Sequence, residues 1–341
     1  MKYIPIHEDV REAIQAAMKS DPKIGHYFTA IGGLRPDSAG AMSPGATGFI
    51  QAPKILGLLA PDVVAGKNRQ LVHMDIGDDA LIAHSDLVGF NDDVRQSDVT
   101  TKLVTEEVEA HGWAVPIDND EVAIANAAGI NIVALKSSQP REIVELNKEI
   151  NGAAFFAATA NYASASHYAT LSGTDKFSDA TCDVLKAIAD KIEFVRSACG
   201  SRPDTLGMGA SVMNTLAWHP KILDLLKTAN VLGRGIPITA QIISLLLNVK
   251  VAVGDAIYKA AEGGTVTDVW ADNVYLCYVG NPNAQITEPR FAMTAVSPDY
   301  PQVIAFQSKK GLRGGQEIRY GDCYKTYSGK KTAGYAFLDV V

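Results

Sequence analysis

The sequence predicts an α+β fold, and three observations carry that reading. Residues 70–76 alternate in period two, residues 99–110 are dominated by β-branched side chains, and strand-like alternation returns from Phe291 onward. Stripes of apolar residues at helical spacing follow Pro140 and Ser178. Residues 205–256 alternate short strands with short helices.

In chain order, Asp9 to Lys19 reads as a short helix with Val10, Ile14 and Ala17 on one face. The stretch 31–48, IGGLRPDSAGAMSPGATG, is too punctuated by Gly and Pro for regular structure, so the N-terminus reads as a long arm. In QLVHMDI, Val72, Met74 and Ile76 alternate with Leu71, His73 and Asp75, and VTTKLVTEEVEA supplies a second strand. The Asp-rich span between them is too long for a tight turn and predicts an extended hairpin with a broad tip. Asp118, Asp120 and Glu121 precede the helical pattern EVAIANAA as N-terminal acids. A long helix is expected to start at Pro140, to carry Ile143, Leu146 and Ile150 on one stripe, and to run to about Ser166. The next helix has Ser178 and Asp179 as N-cap candidates and stops at Gly200; Val184, Leu185, Ile188, Ile192 and Val195 point inward. TLGMGA and VKVAVG then read as strands, with helices in SVMNTLAW, PKILDLLKTA and TAQIISLLLN; VWADNVYLCYVG is apolar on both faces, as a central strand is.

The chain has 341 residues, room for two ordinary domains or one elaborated one, and a formal charge of −7. That sign argues against a protein that grips nucleic acid mainly by neutralising phosphates. Four cysteines without a CxxC exclude a disulfide scaffold or zinc ribbon. MKYIPIHEDV has no apolar core of a secretory leader. Residues 150–174 lack Asp, Glu, Lys and Arg, yet their Ala, Gly, Ser and Thr content fits a buried helix better than a membrane span.

Motifs for chemistry are missing. Gly207-Met-Gly209 lacks the third glycine of a dinucleotide fingerprint, since Val212 stands there, and no Walker lysine follows, so it reads as a tight strand-to-helix turn. His73, His84 and His111 share the acidic hairpin region without a metal-ligand spacing. Asp118-Asn119-Asp120-Glu121 lacks the glycine and terminal glutamate of a calcium loop. There is no G-x-S-x-G, and Cys182, Cys199 and Cys277 have no histidine nearby in sequence and read as small buried hydrophobes. The expectation is no catalytic, cofactor-binding or metal site, and no enzyme.

The block order resembles the major capsid proteins of tailed bacteriophages, with their Hong-Kong-97-like fold. RPDTLGMGASVMNTLAWHPKILDLLK resembles that family's strand, turn, helix and "hp-i-d-lk" segment, and GIPITAQIISLLLNVKVAVGDAIY its next helix and a strand ending in Val-Gly-Asp-Ala. VTDVWADNVYLCYVGNPNA is similar to its Trp-Gly-Asp strand, with Ala271 where glycine is usual, and LSGTDKFSD to its "lsG…wsD" turn, with Phe177 in the tryptophan place. The likeness covers about residues 110–300.

That resemblance implies an N-terminal arm at 1–65, an extended β-hairpin (the E-loop) at 66–112, a peripheral domain with a long spine helix at 113–190 and 272–341, and an axial domain at 191–271. It implies hexamers and pentamers that self-assemble into an icosahedral shell around double-stranded DNA, without sequence specificity, cofactor or membrane. Scaffolding and portal proteins are implied as partners, a decoration protein is compatible, and the setting would be the virion capsid, assembled in the host cytoplasm. An encapsulin-like compartment shares the fold and is the alternative; a soluble α/β nucleotide-binding enzyme is a third and would need a phosphate loop. An arm and a hairpin that bury little by themselves fit a shell, where they lie on neighbouring subunits.

Charge adds one expectation. The hairpin region 67–113 carries a net −6 and the segment 306–331 a net +5. Asp78, Asp79, Asp92, Asp93, Glu106 and Glu107 are therefore expected to meet Lys309, Lys310, Arg313 and Arg319 of a neighbouring subunit, complementary charge steering assembly.

Overall fold

The computed structural model describes residues 52–66, 69–77, 82–83, 87, 93, 100–127, 129, 131–228, 238–281, 288–309 and 312–341. The helix expected at 9–19, the punctuated segment 31–48, and His84 lie outside the described residues.

The α+β expectation holds. The elements are α1 Leu56–Leu59, β1 Asp62–Val64, β2 Gln70–Ile76, β3 Thr101–Glu107, β4 Glu109–Asp118, α2 Asn119–Ala127, α3 Ile132–Ala157, β5 Tyr168–Thr170, α4 Val184–Cys199, β6 Thr205–Gly209, α5 Ala210–Ala217, α6 Pro220–Thr228, α7 Ala240–Leu247, β7 Lys250–Gly254, β8 Ile257–Lys259, β9 Val266–Asp268, β10 Val274–Cys277, β11 Ala292–Val296, β12 Gln302–Ser308, β13 Gly315–Ser328 and β14 Gly334–Leu338. The chain forms two compact units, one of residues 109–147 and 297–323, the other of 51–108, 148–296 and 324–341.

The first unit is a small sheet in which β12 pairs antiparallel with the first half of β13, Ile304 opposite Arg319, and β4 also pairs with β13. Alternation sorts its faces. Val115, Ile117, Ile318 and Tyr320 are buried, as are Pro140 and Val144 of α3, while Ile304, Phe306 and Arg319 are exposed. α2 starts as the acids suggested: Asp118 Oδ1 accepts the Asp120 N–H at 2.9 Å.

The second unit is built on a mixed sheet ordered β5-β14-β10-β6-β7. β10 lies at its centre, antiparallel to β6 (Val274 opposite Met208) and to β14 (Val274 opposite Phe337), and all four of its residues are buried. That is the two-faced burial its continuous apolar run predicted. α4 lays Val184, Ile188, Ile192, Val195 and Cys199 inward, and Leu185 is only half-buried. A second ladder joins β1 parallel to β11, and β11 antiparallel to the last part of β13.

Glycines permit the closest approaches here. A Cβ on Gly209 would lie 1.8 Å from the Ala271 carbonyl oxygen, and one on Gly207 would lie 2.6 Å from Leu59 Cδ1. Gly207-Met-Gly209 is thus a strand-to-helix turn whose glycines admit backbone and a leucine. Ala271, the residue standing where the resembling family has glycine, holds φ +48°, a left-handed backbone that glycine adopts without strain.

Three boundaries differ from the sequence reading. α3 begins at Ile132, so Pro140 sits inside it rather than at its start. The helix ends at Ala157 and not near Ser166, because side chains take its last carbonyls: Asn161 Nδ2 donates to Phe155 O at 2.7 Å and the Tyr162 hydroxyl to Phe156 O at 2.8 Å. Short 3₁₀ turns at Thr159–Asn161 and Ala165–His167 follow, so the uncharged stretch is only partly helical. α4 is capped by Asp183, which accepts the Lys186 N–H at 3.2 Å; Asp179 instead holds the Thr181 N–H at 2.7 Å. Gly200, at φ +78°, ends α4 as expected. Among the described residues no helix is long and apolar enough to cross a membrane.

Candidate assembly interface

The hairpin is formed by seven register pairs, from Gln70 opposite Glu107 to Ile76 opposite Thr101. Side chains alternate between two faces, and the faces differ in what they meet. On the inner face Glu106 Oε2 lies 3.2 Å from Lys325 Nζ and Asp75 Oδ1 3.7 Å from Lys330 Nζ. Between them the His73 ring lies 5.0 Å from that of Tyr327. Burial, with the Glu106 charge as a smaller cause, raises the Tyr327 hydroxyl well above its usual pKa, so it stays protonated.

The outer face is apolar and open. Val72, Met74 and Leu103 are 57%, 47% and 68% exposed, with Met74 directly opposite Leu103. An isolated two-stranded hairpin is marginal in water, and side chains of this type held in the open make it a surface that gains by being covered.

A second open surface is the exposed sheet face of the first unit. Gly112, Trp113, Tyr300, Ile304, Arg319 and Tyr320 line a groove of about 330 Å³. Beside it the Arg319 guanidinium lies 4.7 Å over the Phe306 ring, and Arg319 Nε is 2.5 Å from Glu317 Oε1. Exposed Trp, Phe and Arg side chains are among the residues enriched in protein interfaces. β12, QVIAFQS, carries no charge, and Ile304 and Phe306 on it are exposed.

The residues expected to pair between subunits are spread over both surfaces. Asp78, Asp79, Asp92 and Lys310 lie outside the described residues. Asp93, Glu107 and Lys309 are exposed. Glu106 is engaged by Lys325 of its own chain; Arg313 lies 3.3 Å from Asp120 Oδ1, and its carbonyl accepts the Asn119 amide at 3.1 Å. Within the chain the hairpin's acids meet Lys325 and Lys330, which were not among the expected partners and whose pairing is set by topology. Charge arithmetic also passed over the apolar anchors Val72, Met74 and Leu103, although their period-two alternation was legible.

No group of three or more His, Cys, Asp or Glu side chains suited to a metal ion occurs among the described residues. Cys199 and Cys277 are buried and Cys182 half-buried; burial pushes the Cys277 thiol far up, away from a reactive thiolate.

Comparison with known proteins gives these surfaces a context. The chain is 32% identical over 170 residues to the major capsid protein of Burkholderia phage BcepMu, a match covering 48% of this chain and 53% of that one, about half that relative's length. It is 25% identical over 260 residues to the major capsid protein of Pseudomonas phage JBD67, covering 75% and 81%. No protein-family model matches. Among solved structures, a phage-related protein of Bordetella bronchiseptica RB50 superposes with a TM-score of 0.63 at 20% identity, covering 86% of this chain and 94% of that one. The capsid protein of cyanophage P-SCSP1u gives 0.58 at 10% identity, covering 88% and 92%. The chain has the Hong-Kong-97-like capsid fold.

Proposed function

We propose that this chain is the major capsid protein of a tailed bacteriophage, assembling as hexamers and pentamers into an icosahedral shell around double-stranded DNA. The observation that carries the reading is the pair of open surfaces on a capsid fold: a hairpin whose Val72, Met74 and Leu103 are exposed, and a sheet face that exposes Trp113, Ile304 and Phe306. Both are costly to leave in water and are covered when copies associate with closed symmetry. The likeness to curated capsid proteins supports it.

In this reading residues 1–65 are the arm, 66–112 the E-loop, 113–190 with 272–341 the peripheral domain, and 191–271 the axial domain. Function resides in repeated interfaces rather than in a catalytic group, so the chain is not an enzyme. Scaffolding and portal proteins are partners, a decoration protein is compatible, and the DNA is met through phosphate contacts without sequence reading. Assembly takes place in the host cytoplasm and the product is the virion capsid.

The hairpin of one subunit lies on the sheet face of its neighbour, Val72, Met74 and Leu103 covering Trp113, Ile304 and Phe306. The acids Asp78, Asp79, Asp92, Asp93 and Glu107 approach Lys309, Lys310, Arg313 and Arg319. Glu106 is held at the root by Lys325 and contributes least across the interface. Complementary charge sets register and rate more than affinity.

Electron microscopy of sedimented material, with nuclease protection on the same fraction, tests the shell. Uniform icosahedral particles with protected double-stranded DNA are expected. Particles filled with one protein and no DNA would point to a compartment, and a small soluble oligomer even with scaffold supplied would return the question to an enzyme. Reversing Lys309, Lys310 and Arg313 to Glu is expected to lower shell yield while leaving the subunit folded; normal shells would sink the charge pairing.

A further inference from the structure

Glu149, in the middle of α3, is only 2% exposed, and a buried carboxylate is costly unless its oxygens are satisfied. Here three donors converge on it. The Ile55 N–H reaches Oε1 at 2.8 Å, the Leu56 N–H lies 3.2 Å from both oxygens, and the Trp270 indole N–H reaches Oε1 at 2.8 Å. Ile55 cannot cap α1 with its own side chain, so the carboxylate from a distant helix serves the first amides of that turn.

The contacts around it have one theme. Glu149, Gly152, Ala153 and Phe156 form a buried i, i+3, i+4, i+7 stripe on α3. A Cβ on Gly152 would lie 2.4 Å from Leu56 Cδ1, so Leu56 rests on bare helix backbone there, while Leu59 fills the space beside Gly207. The Phe156 ring is 5.9 Å from that of Trp270, which itself fills the space beside Gly254. The preceding residue, Lys148, reaches Asp62 Oδ1 at 3.2 Å, so two adjacent residues of opposite charge hold both ends of the segment 55–62.

We propose that Glu149 is the latch that fixes residues 55–64, the root of the chain leading into the hairpin, to α3. A leucine or methionine at this position would fill the volume but leave two backbone amides and an indole N–H buried without an acceptor. The carboxylate is the group that serves all three at once, and it ties the root to Trp270 in the same act. The direction in which the chain enters the hairpin is then referenced to one point on α3, and opening the latch frees the root while the β5-β14-β10-β6-β7 sheet stays folded. Its consequence for neighbour contacts rests on the shell reading; the latch itself does not.

Amide hydrogen exchange on the full-length unassembled subunit tests this without reference to particles. Hydrogen bonds to a charged acceptor shift a local opening equilibrium by about tenfold or more. Glu149→Gln, which keeps shape and one acceptor, is expected to speed exchange over 53–60 by at least about tenfold, with β10 unchanged. The same factor at both places would make Glu149 an ordinary core residue, and no change over 53–60 would remove it as the anchor; either overturns the proposal. Trp270→Phe serves should the first variant fail to fold, since it keeps an aromatic ring and removes one of the three donors. A faster root with β10 unchanged is expected, and loss of protection in β10 alone would overturn the latch.

Discussion

Strand β10 and the β2–β3 hairpin belong to the same unit and are built from similar residues, yet they meet opposite surroundings. Val274, Tyr275, Leu276 and Cys277 have a strand on each edge and apolar side chains on each face. Val72, Met74 and Leu103 have a strand partner and an ion-paired inner face behind them, while they themselves are about half or more exposed on the outer one. Apolar sequence in β10 stabilises the subunit. In the hairpin it is largely exposed, and stability measured on the single chain should be nearly blind to it.

A matched pair of substitutions breaks that contrast if it is wrong. Val274→Ala is expected to cost about 2–3 kcal/mol of subunit stability in urea unfolding, whereas Val72→Ala should cost less than about 0.5 kcal/mol. Equal costs would mean the hairpin's outer face is covered within its own chain.

Acid should act on the buried side next. His167 is buried beside Phe194, with Nδ1 3.1 Å from the Ser164 hydroxyl, and burial holds its pKa below the ordinary value. The unfolded chain therefore binds the proton more readily, and His167 contributes stability that is present above about pH 6.5 and lost as pH falls below it. His167→Phe should flatten that part of the stability–pH curve, and an unchanged slope would assign it to other groups.

Ala271 offers a smaller test in the opposite direction. Its φ of +48° is strained for a residue with a Cβ, so Ala271→Gly is expected to raise stability by about 0.5–1 kcal/mol, read as a shift in the urea midpoint. Smallest of all, Glu106→Gln at the hairpin root should cost about 0.2–1 kcal/mol, and the difference from the parent chain should shrink in high salt.

Much of the fold was legible because local rules agreed with it. The strand-to-helix turn at Gly207–Gly209, the Gly200 stop and the two-faced strand at Val274 each follow from a few neighbouring residues. β4 was not recognised because EAHGWAVPID contains Gly112 and Pro116, both poor strand residues, and the strand depends on pairing with a segment some two hundred positions on. The start of α3 was misplaced for the converse reason: Pro140 is a strong local stop that the helix overrides. Of the candidate interface, the alternation that exposes Val72 and Met74 was legible. Glu106 choosing Lys325, and Glu149 gathering three donors from residues 55, 56 and 270, are matters of topology that spacing does not encode.

The pairing of β1 with β11 has a consequence for how the chain is made. Asp62 lies in register with Thr294, so the strand next to the hairpin root has no partner until 232 further residues have been synthesised. At ordinary translation speeds that interval is roughly ten to fifty seconds. During it the hairpin's apolar face is outside the ribosome while the sheet that anchors its root does not yet exist. Newly made chains thus pass through a stage at which an exposed apolar face and an unpaired strand make premature association a hazard.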